Sequence, residues 1–536
     1  MNIMKYIKIL FSGVIISLFA ITSCVKDLDT IPIDKDDVSS ATVYKDSESY
    51  LHVLAKIYGG FVLTGQQGPA GNADLRGVDE GFSEYFRNYW YIQEFSTDEA
   101  ISGWENDEGL FDLNFQTWDA TNPFVQGIYT RIFYEIVLIN EFLRESTDAK
   151  LEDRGHGDLK ETIHTYRAEA RYIRALSYWH ALDLFGNVPF VTEEDGIGSF
   201  FPQQTNRADL FNYIESELIE VIPNLVDARQ NEYARADKAA AWMVLAKLYL
   251  NAEVYIQQSK YAECLTYCNK IIDAGYSLEE RYKDLFCINN EYSDEVIFTL
   301  AFDGEKTQSW GGMTFLINSS IGGSMIPTDY GVEGGWAGSR ATEALYNIFS
   351  QNDGRALFYT NGQTLEIDNV VEFTQGIGVT KYRNLYYTYD NDGNAIDSIS
   401  GSNSTHPDTD FPMFRLADVY LMYAEIVARG AGGDANTAVG YINELRERAF
   451  GNSDQNINSS DLTEDFILNE RARELFWEAH RRTDLIRFGK FSGGSYLWPW
   501  KGNVKEGTAT DAKYDLLPIP ATDIASNPNL TQNSGY

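Results

Sequence analysis

The chain has 536 residues, 44% of them hydrophobic, and a formal charge of −36 from 79 acidic against 43 basic side chains. That length and apolar content exclude a disordered chain and support two or more packed units. A field of that sign excludes nucleic acid and anionic lipid as electrostatic partners and leaves neutral or cationic ligands. Aromatics reach 14%, with 34 Tyr and 10 Trp; most of them read as structural, because Tyr and Trp sit half buried with a polar tip in water.

The first segment reads as a secretory leader. Met1 to Lys8 carries two lysines, Ile9 to Ala20 is an apolar run, and Ile21-Thr22-Ser23 closes it with small residues before Cys24. The run is too short for a spanning helix with ordinary flanks. A cysteine at that junction resembles the lipobox of bacterial lipoproteins, which implies removal of residues 1–23 and acylation of Cys24. Residues 24–40 form an acidic tether, and its Val25-Lys26-Asp27-Leu28-Asp29 start resembles the surface-export signal of Bacteroidetes lipoproteins. With Cys24 lipidated, Cys264, Cys268 and Cys287 remain. Cys264 and Cys268 stand four apart on a helix without histidine neighbours, which favours buried free thiols over a zinc site or a disulfide.

From residue 41 onward the apolar spacing is mainly helical. Helices are expected over 41–58, 123–144 (Ile128, Ile132, Ile136, Ile139 and Leu143 on one stripe), 166–185, 206–222 after an Asn206 cap, 236–252 and 259–274 before Gly275. The 166–185 helix organises the rest. Its stripe of Ala168, Tyr172, Ala175, Trp179 and Leu182 is widened by Ile173, Leu176 and Tyr178, so it must be buried on two sides, with Gly186 as a left-handed cap and Pro189 as a stop. Small residues mixed with bulky aromatics here, in 236–252 and in 415–429 suit stacked helical hairpins. The interval between paired helices is close to the tetratricopeptide period of about 34 residues.

Between about 290 and 410 the character changes. A strand-like VIFTLAF (296–302) precedes a Gly-, Ser- and Asn-rich stretch in which little helix is expected; a helix returns at Thr342–Phe349, and 388–410 reads as a polar loop, in whose Asp- and Asn-rich part, 388–397, a structural calcium would leave no legible motif. Helices are expected again over 415–429, 435–449 and, as one continuous element, 463–487, whose Glu470, Glu474, Arg471 and Arg473 mark a solvated or network face. The Pro- and Asn-rich end, 516–536, reads as extended and docked.

Candidate binding residues follow from chemistry. A sugar ring offers a face of C–H groups to an indole and a rim of hydroxyls to Asp, Asn or Arg. The aromatic- and acid-dense 82–123 stretch is a candidate surface. Trp104, Trp310, Tyr330 and Trp336 are the ring candidates, because they lie in Gly-rich loops that do not already demand burial; Asp98, Glu99 and Asn106 are the polar neighbours of Trp104. Catalysis is not expected: a glycosidase needs two carboxylates at a set separation, the acidic run around Asp98 to Glu108 is what this composition yields, and no nucleophile triad, HExxH or phosphate loop is present. His180 and His480 read as structural.

Five blocks together resemble the SusD/RagB family of outer-membrane nutrient-binding lipoproteins: RAEARYIRALSYWHALDLFGNVPFV (167–191), FRLADVYLMYAEI (414–426), INELRERA (442–449), ERARELFWEAHRRTDLIRFGKF (470–491) and LLPIPATDIASNPNLTQNSGY (516–536). The resemblance implies a mainly α fold, with about four tetratricopeptide-like helix pairs as scaffold and a loop-rich, irregular ligand-binding region. It divides residues 41–536, one SusD-like domain, near residue 290. It further implies a lipid-anchored, surface-exposed protein without cofactor that captures oligosaccharides for a TonB-dependent SusC-like transporter, some members taking peptides instead. Thr97 to Ala100 matches the family's T-D-E-A-like motif, after which Trp104 holds the place of a ligand-stacking aromatic. A helical-repeat adaptor holding a peptide on its concave face is the reading from a different class.

Overall fold

The computed structural model describes residues 40–536 apart from 66, 70–73, 76–80, 82, 197, 199, 392 and 394. The leader, Cys24 and the tether up to residue 39 lie outside the described residues. Among the described residues, no helix is long and apolar enough to cross a membrane.

The N-terminal half is built from helices that pair with their sequence neighbours. Helix α1 (Ser47–Gly59) is capped by Asp46, and α2 (Tyr85–Trp90) by Glu84, before a wider helical turn over Tyr91–Phe95 and the short strand β1 (Ala100–Ser102). Helix α3 (Pro123–Glu145) combines an Asn122 cap with proline in the first turn. In α4 (Lys160–Leu184) every residue from Tyr172 to Leu184 is buried, because α3 packs on one side and α5 (Arg207–Val221) on another. Gly186 closes α4 at φ 72°, its N–H reaching the Ala181 carbonyl at 3.2 Å. Helices α6 (Lys238–Leu250) and α7 (Tyr261–Asp273) form the next hairpin. Cys264 and Cys268 meet inside it as buried free thiols, sulfur to sulfur 4.0 Å, and Cys287 is likewise a buried free thiol.

The C-terminal half interleaves small sheets with helices. It runs through β2 (Val296–Leu300), α8 (Gly312–Ser319), β3 (Ser339–Ala341), the hairpin of β4 (Leu385–Tyr389) and β5 (Ala395–Ser400), and β6 (Phe411–Arg415). Strand β6 pairs antiparallel with β2, Phe411 opposite Leu300, and leads directly into α9 (Leu416–Ala428), followed by α10 (Ala435–Phe450), α11 (Glu464–Leu475) and α12 (Arg481–Arg487). Since α9 packs on α7 as well as on α10 and α11, the hairpins of both halves join into one tetratricopeptide-like stack. The end of the chain docks as expected, though with a helix over Ala521–Ser526 rather than wholly extended: Leu517 and Ile519 are buried, and the Asn533 amide donates to the Phe185 and Leu517 carbonyls at 2.8 and 2.7 Å.

Four local expectations are corrected. The 463–487 segment is two helices, broken where Trp477 and Ala479 adopt φ of 64° and 60°. Tertiary donors use the carbonyls exposed by the break, Lys381 Nζ on Phe476 at 2.6 Å and Trp90 Nε1 on Trp477 at 3.0 Å. The Gly-rich stretch does contain a helix, α8, every residue of which is buried. The helix expected at Thr342–Phe349 covers only Glu343–Tyr346, and the polar 388–410 segment includes most of the β4–β5 hairpin.

Past its exposed Glu464 and Asp465, the charges of α11 turn inward. Glu470 and Glu474 are fully buried, joined by Arg355, Arg415 and Arg448 in a network that extends to Glu295 and Glu478; Arg415 reaches Glu295, Glu474 and Glu478 at 2.7 to 2.8 Å. His180 is buried, and His480, just before α12, is partly buried. Burial, together with the charge of Lys247, lowers both imidazoles to about 3, and His180 stacks on Tyr89 at 4.2 Å.

Candidate aromatic binding site

Strands β1 and β3 bring two distant loops together. They pair antiparallel with Ala100 opposite Ala341 and Ser102 opposite Ser339, so Trp104, two residues after β1, meets Trp336, three residues before β3. The Trp104 indole donates from Nε1 to the Trp336 carbonyl at 3.1 Å, and the two ring centroids stand 6.3 Å apart at 48°. Gly338 permits this closeness: a Cβ there would lie 2.3 Å from the Trp104 ring.

Helix α8 supplies the frame for the third ring. The last carbonyls of a helix lack intrahelical partners, and here those of Asn318 and Ser319, with Ile321 just beyond, accept the N–H groups of Trp336, Gly338 and Ala337 at 2.7 to 2.9 Å. Trp310 precedes the other end of the same helix, and its ring stands 6.2 Å from Trp336 at 57°. His406 continues the row, 5.0 Å from Trp310. Trp104, Trp336 and Trp310 are each partly exposed. The result is a continuous row of inclined rings.

A recess of about 390 Å³ opens beside Trp104, lined by Arg87, Gly103, Glu105, Asn106, Asp107 and Val371. Asn106 and Glu105 are exposed on it. Arg87 was not anticipated. Its guanidinium lies 5.9 Å from the Trp104 ring centroid and 4.9 Å from that of Phe315, while Nη1 donates to the Trp310 carbonyl at 2.7 Å and Nε to the Tyr91 hydroxyl at 2.8 Å. One cation thus touches both ends of the arc. The only signal in the sequence is a lone arginine inside the aromatic run YFRNYW. Larger recesses of about 510 and 750 Å³ exist elsewhere and contain none of the three tryptophans.

Other expected site residues fall outside the arc. Asp98 is 1% exposed and held by Arg481 at 2.6 and 2.7 Å and by the Tyr496 hydroxyl at 2.6 Å. Burial alone would raise its carboxyl; the Arg481 charge and hydrogen bonds outweigh that and keep it low. It presents nothing to a ligand. Glu99, 2% exposed, is raised to about 7, chiefly by burial. Both residues anchor β1: the Asp98 and Glu99 carbonyls accept the Thr342 hydroxyl and N–H. Tyr330 is 8% exposed, its ring packed 5.5 Å from the Arg383 guanidinium. The aromatics Tyr85, Phe86, Tyr89, Trp90 and Tyr91, in the stretch proposed as a surface, are core.

A helical-hairpin stack that presents an inclined aromatic row on loop-held strands is the class this fold and site define. The chain belongs to the SusD family. The family model for the SusD family matches residues 372–536. The starch-binding protein SusD of Bacteroides thetaiotaomicron is 34% identical over 99% of this chain and 99% of that protein, and the SusD-like protein P25 of Formosa agariphila is 30% identical over 82% of this chain and 84% of its own length. Among solved structures, surface glycan-binding protein A from Bacteroides thetaiotaomicron in complex with laminarihexaose shares the fold, with a TM-score of 0.67, 20% identity and coverage of 91% of this chain and 99% of that one.

Proposed function

We propose that this protein captures starch-type α-glucans at the cell surface, on the Trp104–Trp336–Trp310 arc, and passes them to a SusC-like TonB-dependent transporter. The observation that carries the reading is the inclination of successive rings, 48° and then 57°. Coplanar rings suit a flat, extended glycan; rings turned against one another suit a chain that curls, as an α-1,4-glucan does. The 34% identity to a starch-binding protein across the whole chain supports the same substrate class.

Arg87 and Asn106, beside Trp104, are the groups that bond the hydroxyl rim. By analogy with aromatic pairs, each stacking contact adds about 0.5–1.5 kcal/mol. Three of them with a few hydrogen bonds correspond to millimolar to micromolar binding, since about −4.1 kcal/mol is a millimolar constant. That strength suits a protein that hands its ligand on. Binding without hydrolysis fits the carboxylates too: Asp98 is committed to Arg481, and Glu99 is buried. Cys24 supplies the lipid anchor.

The test is calorimetric titration of the domain starting after Cys24 with maltoheptaose, laminarihexaose, cellohexaose and a peptide digest. Saturable binding of maltoheptaose above the others is expected. Selective binding of laminarihexaose would move the substrate to β-1,3-glucans, and selective binding of peptides would overturn the glycan reading.

A further inference from the structure

The backbone just after Trp310, at the far end of the arc, is contacted by the buried carboxyl of Glu84, which does not itself line the recess. We infer that Glu84 is a positioning residue for Trp310, acting through the backbone on either side of Gly311. The inference rests on the glycan reading of the arc and adds how one of its rings is fixed.

Glu84 is fully buried and caps α2, its Oε2 accepting the Arg87 N–H. The same oxygen accepts the Gly312 N–H at 3.1 Å, from a residue 228 positions away. Gly312 opens α8, and the residue before it, Gly311, has no side chain with which to cap that helix. Glu84 therefore serves two helix N-termini with one oxygen. Shorter Ser, Thr, Asp or Asn side chains are the favoured caps; glutamate is the longer arm that reaches a second helix. The loop is moulded on it, since a Cβ at Gly311 would lie 2.5 Å from the Glu84 Cβ and 2.6 Å from Oε2, and Gly312 takes φ +49°.

One turn along α2, Arg87 donates to the Trp310 carbonyl at 2.7 Å. The same short helix thus grips the peptide before Gly311 through Arg87 and the one after it through Glu84. Oε1 of Glu84 is buried and makes no hydrogen bond. Both N–H groups therefore fall to Oε2 alone.

The test is a double-mutant cycle with maltoheptaose, read by calorimetry, over Glu84→Ala, Trp310→Ala and the pair, with Glu84→Gln as the conservative variant. Trp310→Ala should weaken binding roughly threefold to tenfold, the loss of one stacking contact. Glu84→Ala should weaken it to a similar degree, the pair should be no worse than Trp310→Ala alone, and Glu84→Gln, whose amide oxygen can accept the same two N–H groups, should bind like the parent. A Glu84→Ala variant with parental affinity, or one whose loss multiplies with that of Trp310→Ala, would overturn the inference.

A ligand-free readout separates this from the glycan reading. In protein labelled with 5-fluorotryptophan, the fluorine resonance absent from Trp310→Ala should move or broaden in Glu84→Ala and stay in place in Glu84→Gln, while the resonance absent from Trp104→Ala stays put in both. An unmoved Trp310 resonance in Glu84→Ala contradicts the inference even if maltoheptaose is not the ligand. A moved resonance in a protein that binds no glycan upholds the positioning role and sinks the substrate reading instead.

Discussion

The α9–α12 block and the tryptophan arc treat polar and aromatic groups in opposite ways. In and around the block, the side chains of Arg355, Arg415, Arg448, Glu295, Glu470, Glu474 and Glu478 are all buried, and each is matched by opposite charges within hydrogen-bonding distance. In the arc, three indoles stay partly exposed, and polar Asn106 and Glu105 face solvent. A scaffold satisfies its groups internally; a binding surface leaves some of them for a ligand. Substitutions in the block should therefore cost stability, and substitutions in the arc should cost affinity.

The largest expected effect is on the scaffold side. Arg415→Met removes the cation shared by Glu295, Glu474 and Glu478, leaving them only Arg448, Arg355 and Lys381, and should lower unfolding stability by about 3–5 kcal/mol, the usual cost of breaking a buried ion pair from one side, as read by urea denaturation. Acid probes the same network. Burial alone would raise Glu470, but Arg355, Arg473 and Arg446 hold it down to about 2. The folded value lies below the unfolded one, so this contribution is complete above about pH 4.5 and lost as pH falls toward 2, a loss on the order of 3 kcal/mol. The urea midpoint should drop between pH 5 and pH 3, and less so in Glu470→Gln.

Asp98→Asn sharpens the boundary between the two regions. If Asp98 anchors β1 through Arg481, the variant should lose about 1–3 kcal/mol of stability, and the folded fraction should bind maltoheptaose with the parental stoichiometry. Gly338→Ala crosses the boundary the other way. Its Cβ would press on the Trp104 ring, so affinity should fall several-fold, by roughly the worth of one displaced ring, with little change in unfolding temperature. Asn106→Ala, on the exposed rim, should have the smallest effect, about 0.5–1.5 kcal/mol of binding for one hydrogen bond and none of stability.

Much of the scaffold was legible because its signals are local. The stripe of α4, the Asn206 cap, and glycines at 186 and 275 each act within a few residues of where they stand. The break at Trp477 was not legible, since the donors that stabilise it, Trp90 and Lys381, come from distant parts of the chain. Helix α8 was hidden by Gly311 and Gly312, which look like loop and serve instead to close the chain on Glu84.

The site divides in the same way. Trp104, Trp310 and Trp336 stood out because nothing periodic around them demanded burial, and β1–β3 pairing then joined them. Asp98 was misread as rim because its partners, Arg481 and Tyr496, lie 383 and 398 residues away. Arg87 was missed because an arginine in a short aromatic helix gives no hint of which rings it will reach.

The most direct test of the account is titration of Trp336→Ala with maltoheptaose beside the parent protein, with the unfolding temperature of both recorded. Trp336 touches both other indoles, so its loss should abolish measurable binding or weaken it at least tenfold while the unfolding temperature stays within a few degrees of the parent's. Parental affinity in a folded Trp336→Ala variant would contradict the assignment of the arc as the glycan site.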